Sequence, residues 1–383
     1  MAYLFETEDH AAIRASARRF AQAHIAPHGA EWEEAEEFPL ELYRTACGAG
    51  ITGVGYPEAV GGQGGDLSHV LVAADELVLA GRSVGTVVGL GSHGIALPPI
   101  VRFGTPEQQR RFVTPCLTDG KIAALAVTEP GGGSDVAALA TRAERDGDDY
   151  VVTGQKTFIT SGTRADLVTC AVRTGGAGHG GISLLVIERG TPGFSVGRKL
   201  RKTGWWASDT AELHFDGCRV PVANRIGPEH GAFPMIMMNF AGERLMLAAQ
   251  CVAIAELSYR ESIAYARGRS AFGKPLTGFQ VTRHKLADMA SRLAAARALV
   301  GEAVVRVLRP GGQVEAAGLA AMAKNVATDM CSFVCDQAVQ LHGGYGYMRE
   351  TLVERLYRDA RLYPIGGGTR EIMNEVIAKT EGY

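Results

Sequence analysis

Apolar positions recur at helical spacing from Glu6 to about Cys116: Ile13, Ala17, Phe20 and Ala21 form one stripe, and Leu71 to Leu79 carries another. The breaks GYPEAVGGQGGD and FGTPEQ put glycine and proline where helices are expected to stop. Between about Lys121 and Pro228 the pattern turns to short β-branched or alternating runs: IAALAVT, YVVTGQKTFIT, DLVTCAVR, ISLLVIE and AELHF. Asp146-Gly147-Asp148 and Gly175-Gly176 punctuate them. Strands this closely spaced, with no helices between them, predict a compact antiparallel sheet or barrel. From Ala232 the helical period returns, with long segments expected over Arg244 to Arg267, Val281 to Leu308, Gln313 to Leu341 and Arg349 to Leu362, hence a bundle. The expected fold class is multi-domain α and β: an N-terminal helical domain over residues 1–120, a central antiparallel β domain over 121–230 and a C-terminal four-helix bundle over 231–383.

Composition narrows the function without naming it. A net charge of -2 gives no basic excess for nucleic acid or an anionic membrane. The seven cysteines are scattered, without a CxxC pair or metal spacing, so neither a disulfide framework nor a metal site is expected. Cys331 and Cys335, four apart on an expected helix, read as small buried apolar residues. The acidic start MAYLFETEDH does not read as a signal peptide and no apolar run approaches membrane-spanning length, so a cytoplasmic protein without membrane insertion is expected.

Two glycine-rich stretches are candidates for chemistry. In LAVTEPGGGSD, residues 125–135, a strand runs into a Pro-Gly turn whose free amides, with Thr128 and Ser134, can cradle a diphosphate and offer hydroxyls to a ring system. In YPIGGGTREIM, residues 363–373, Gly366, Gly367 and Gly368 allow close approach of backbone amides to an anion or a carbonyl oxygen. Taken alone, each reads as readily as a turn or a helix cap.

Together with FITSG (158–162), RKTGWWASDTAELHF (201–215), ARGRSAFGKPLTGFQ (266–280) and LHGGYGYMRE (341–350), these motifs resemble, in order and over essentially the whole chain, the acyl-CoA dehydrogenase family of flavoenzymes. The resemblance implies an FAD cofactor and an acyl-CoA substrate, with an electron-transferring flavoprotein as acceptor. It also implies a homo-oligomer, expected to be a tetramer, in which FAD is shared between subunits. Carried over by position, the flavin contacts fall on Thr128, Gly133, Ser134, Phe158, Ile159 and Thr160, with Thr369 and Glu371 completing the pocket. Arg269, Phe272 and Gln280 match the segment that reaches a neighbouring subunit's FAD, and Gln340, Gly343 and Gly344 match the segment near the adenine side of the cofactor. On the residues alone, Arg269 also reads as a helix-end charge, Phe272 as core and His342-Gly343-Gly344 as a helix C-cap.

Oxidising a saturated acyl thioester needs a carboxylate at the α carbon and a hydride acceptor beyond the β carbon. Many members of the family carry that glutamate where this chain has Gly367. Glu243, in MMNFAGERLMLAAQ, matches the isovaleryl-CoA and long-chain branches, whose base sits on the first long helix of the bundle. Its plainer reading is an acid in the first turn of a helix, favoured by the helix dipole. The family likeness further implies that the Gly367 amide serves as an oxyanion donor, and that Ser134, Phe240, Arg244 and Gly368 line the substrate. Ala241 stands where several relatives have an aspartate that bonds pantetheine, and Met235 to Met238 are expected at the pocket floor. Flavin oxidase, monooxygenase or carrier-protein-thioester chemistry, or a non-catalytic scaffold, are the alternatives on this fold.

Overall fold

The computed structural model describes residues 2–383, the Gln313 side chain excepted. Helices α1 (Glu8–His24), α2 (Leu67–Gly81) and α3 (Val84–Leu90), with several further short helices, fill the chain up to Thr118. The punctuation seen in the sequence acts as caps. Asp66 accepts from the Ser68 amide to open α2, and Thr105 and Gln108 exchange backbone bonds around Pro106 in FGTPEQ. Arg14 of α1 binds Asp75 and Glu76 of α2 at 2.6 and 3.1 Å, fixing the two helices against each other.

The central sheet comprises β1 (Ala123–Ala126), β2 (Arg142–Asp146), β3 (Asp149–Thr160), β4 (Leu167–Arg173), β5 (Ile182–Glu188), β6 (Phe194–Lys199), β7 (Thr210–Pro221) and β8 (Arg225–Ile226). Its order is β6-β7-β3-β2-β4-β5-β8, with β1 on β4. The sheet is antiparallel as expected in its β2–β3, β3–β7, β4–β5, β5–β8 and β6–β7 pairings, while β1 runs parallel to β4 and β2 touches β4 in parallel at Arg142 and Arg173. The near-continuous apolar runs of β4 and β5 follow from burial on both faces. Leu167, Ala171, Leu184 and Val186 point into a core shared with Ile100, Phe112 and Met235, while Val168, Cys170, Leu185 and Ile187 point into one shared with Tyr150 and Phe215.

The C-terminal part holds α4 (Ala232–Gly268), α5 (Gln280–Val307), α6 (Ala317–His342), α7 (Leu352–Ala360) and α8 (Arg370–Glu381). Two expectations fail here. The first long helix starts at Ala232 instead of Arg244, since Pro234 falls in the opening turn, where a missing N–H costs nothing. The last long segment is only Leu352–Ala360, and the chain passes through the glycine loop into α8, which packs on α6. Cys331 and Cys335 are buried and free, as their spacing suggested.

Candidate active site

A cavity of about 1290 Å³ lies between α2, α3, the sheet and α4, with the glycine loop at one wall. Because α4 begins at Ala232, Glu243 is in its fourth turn, beyond the reach of the helix dipole, and the capping explanation falls away. Its Oε2 is buried without a hydrogen-bond partner among the described residues. Burial pushes the carboxyl up to about 7, against the pull of Arg244 and Lys324.

Gly367 explains how that space is kept. Its φ of +65° is in the left-handed region, and a Cβ there would lie 2.6 Å from Leu247 Cδ1 and 3.5 Å from Glu243 Oε1. The loop backbone therefore stands directly against the carboxylate. Its carbonyls are all held by cations: Lys324 Nζ donates to Gly366 O at 2.6 Å and to Gly368 O, and Arg244 Nε donates to Gly367 O at 3.3 Å.

The opposite wall is the TEP turn. Buried Lys156 donates to Val127 O and to Glu129 Oε1, at 3.0 and 2.7 Å, while Glu129 accepts the Ala140 and Thr141 amides at 2.6 and 2.9 Å. Burial alone would raise the Glu129 carboxyl, but the Lys156 ammonium and these donors outweigh it and hold it below the usual range. Replacing Glu129 by Gln strands a buried ammonium, a class of change that costs about 3–5 kcal/mol. A thermal melt of Glu129→Gln should show a clear drop in Tm, with weaker FAD retention; an unchanged melt would refute this role.

Beside the turn, β3 and β7 slip register between Lys156 and Ile159, and Phe158 takes φ +60° and stands 68% exposed. Such a bulge re-aims a side chain, here an aromatic face turned out of the sheet. Trp205, whose motif RKTGWWASDTAELHF points to the family without marking this side chain, also lines the cavity. It has φ +57°, its amide is held by Asp359 at 2.6 Å, and its indole Nε1 is buried without a partner among the described residues.

The cavity brings together Thr128, Gly133, Ser134, Phe158, Ile159, Thr160, Phe240, Glu243, Arg244, Gly367, Gly368 and Thr369. Met235, Met237 and Met238 line it too. Arg269, Phe272, Gln280, Gln340, Gly343, Gly344 and Glu371 are not in its wall but exposed elsewhere. Phe272, 95% exposed on the turn after α4, is not core, and Gly343 does cap α6. An aromatic face, an unpartnered indole N–H and a turn of open amides suit a planar heterocycle carrying phosphates. Gly131 and Gly132 have no atom within 4 Å of a would-be Cβ, so a ligand can approach their backbone.

Helices flanking a sheet, around a cavity that joins a carboxylate, an apolar channel and such a cradle, suit the class of flavin-dependent oxidoreductases of acyl thioesters. The chain belongs to the acyl-CoA dehydrogenase family, since sequence models of that family's N-terminal, middle and C-terminal domains match residues 7–120, 124–218 and 231–381. It is 38% identical to the mitochondrial isobutyryl-CoA dehydrogenase of Bos taurus, over 98% of this chain and 89% of that one. The acyl-CoA dehydrogenase of Geobacillus kaustophilus superposes with a TM-score of 0.94 at 38% identity, covering 100% of both chains. The FAD complex of an acyl-CoA dehydrogenase from Bacillus anthracis gives 0.93 at 29%, covering 98% of this chain and 68% of that one. The protein is thus an FAD flavoprotein and an oxidoreductase acting on acyl-CoA. Among the described residues no single helix is long and apolar enough to cross a membrane.

Proposed function

We propose that the protein desaturates an acyl-CoA thioester between its α and β carbons, giving the trans-2-enoyl-CoA, with Glu243 as the base. The half-buried Glu243 carboxylate, with its Oε2 unpartnered among the described residues and its Oε1 facing Gly367, carries this reading. Glu243 takes the α proton; its raised pKa makes it a competent acceptor near neutral pH. The Gly367 amide donates to the thioester oxygen, where negative charge builds as that proton leaves. FAD, when bound, supplies the acceptor for the β hydride.

Thr128, Gly133, Ser134, Phe158, Ile159, Thr160, Trp205 and Thr369 hold the flavin side in this reading. The exposed group Arg269, Phe272, Gln280, Gln340, Gly343 and Gly344 serves the cofactor of a second copy, so that the working unit is a homo-oligomer. Glu371, exposed outside the cavity two residues after Thr369, completes the cofactor pocket with it in this reading. The reduced cofactor is reoxidised by an electron-transferring flavoprotein.

The acyl tail lies along Leu67, Val70 and Leu77 of α2, Val88 of α3 and Met246 of α4. From Leu67 to Leu77 that wall offers about 15 Å of helix, room for an extended aliphatic chain. Anaerobic bleaching of the bound flavin by a panel of acyl-CoAs tests both points. Straight chains long enough to follow α2 should bleach it faster than isobutyryl-CoA. Preference for isobutyryl-CoA would overturn the chain assignment, and no bleaching by any member would overturn the reaction.

A further inference from the structure

Lys324 is a lysine with 1% exposure on α6, and its ammonium lies beneath the loop that faces Glu243. A lysine is seldom buried so completely unless its charge is paired. Here it donates to two backbone carbonyls, Gly366 O and Gly368 O, instead of a carboxylate. The peptides among the described residues are all trans, so each carbonyl and the following N–H point in opposite directions. Holding the Gly366 carbonyl toward α6 therefore turns the Gly367 N–H away from α6. Neither the Gly367 nor the Gly368 amide donates to a protein acceptor among the described residues. A cation on a carbonyl also polarises its amide and strengthens the N–H as a donor.

We propose that Lys324 is a positioning residue for the oxyanion donor: its ammonium aims and polarises the Gly367 amide, and its field keeps Glu243 ready to accept a proton. This rests on the reading of Glu243 and Gly367 given above. The charge matters beyond the tether, because a neutral amine could still donate to both carbonyls. Burial brings the Lys324 ammonium down to about 8, Arg244 acts in the same direction, and Cys251 and Glu243 oppose it. Those three groups on α4 are the titratable and charged side chains acting on it, while the loop presents carbonyls only. On α6 itself, Asp329 is occupied by Arg370.

The rate of flavin reduction by acyl-CoA, followed by rapid mixing across pH in the FAD-loaded enzyme, provides the test. The wild type should gain rate through about pH 7 as Glu243 ionises and lose it above about pH 8 as Lys324 loses its proton. In Lys324→Met the limiting rate should fall at least about tenfold, short of the roughly hundredfold or more that follows loss of an oxyanion donor itself. Substrate affinity should change little. The alkaline limb should vanish, and the acid limb should move upward, because a carboxylate without its neighbouring cation is harder to ionise. A Lys324→Met enzyme with wild-type rate and pH profile would overturn the proposal, as would one that loses only FAD or substrate affinity. Should Lys324→Met not fold, the wild type decides: a rate that stays flat above about pH 8 overturns it. Retained bleaching in Glu243→Gln would instead overturn the underlying reaction, so the two failures are distinguishable.

Discussion

Glu243→Gln should keep its yellow colour and lose the flavin bleaching that acyl-CoA produces, with the reductive rate down by about 10²- to 10⁴-fold, the range a positioned general base supplies. The amide has the shape of the carboxylate and cannot accept the α proton. FAD should stay bound, because the cofactor contacts assigned to this chain, on the TEP turn, β3, the Trp205 segment and Thr369, do not include the Glu243 carboxylate. The acid limb near pH 7 should disappear with the group that causes it. Stability gives an independent check of sign. The folded pKa of Glu243 is raised above its usual value, so the folded state favours the protonated form. Ionisation then penalises folding increasingly as pH rises from the usual carboxylate range to about 7. The variant, which has no charge to bury, should match the wild type in Tm at low pH and exceed it above about pH 7. Loss of both Tm and bleaching would mean that Glu243 is a structural residue and not the base.

The parts legible in the sequence were those with strong local signals. Period-2 runs located β3, β4, β5 and β7, because each alternates or is buried on both faces. The strands β2 and β6 went unseen: RAERD and FSVGRK are polar and half exposed, so their pairing with β3 and β7 is decided by neighbours that one segment cannot reveal. The parallel placement of β1 is a tertiary fact of the same kind. Glu243 was visible as a carboxylate, but the burial of its unpartnered Oε2 depends on α4 starting well before it. Lys324 carried a signal that went unused. It is a lone cation in GLAAMAKNVA, among Ala320, Ala321 and Ala323, all with 0% exposure, and such a lysine asks for a partner. In the proposed scheme the surface carrying Arg269, Phe272 and Gln340 takes its role from a second copy, which neither one sequence nor one chain displays.

Gly367→Ala should be nearly as damaging as loss of the base, although it adds a single methyl group far from the TEP turn. A left-handed φ costs a residue with a Cβ about 1–2 kcal/mol. The new Cβ would also come within 2.6 Å of Leu247 Cδ1 and 3.5 Å of Glu243 Oε1. The first contact cannot stand, so the loop, the leucine or the helix must move. Any of these displaces the Gly367 amide relative to the base, and misplacement by about 1 Å costs on the order of 10²-fold in rate. FAD binding should survive, so the variant is expected to be coloured and slow, with Tm lowered modestly by the backbone strain. A coloured Gly367→Ala that bleaches at the wild-type rate would mean that the loop does not shape the reacting centre. The same contact bears on a second carboxylate at this point. A longer acidic side chain at position 367 would enter space bordered by Glu243 Oε1, where two close carboxylates would share a proton and titrate as a coupled pair. Glycine at 367 therefore leaves this place beside the loop to the Glu243 carboxylate.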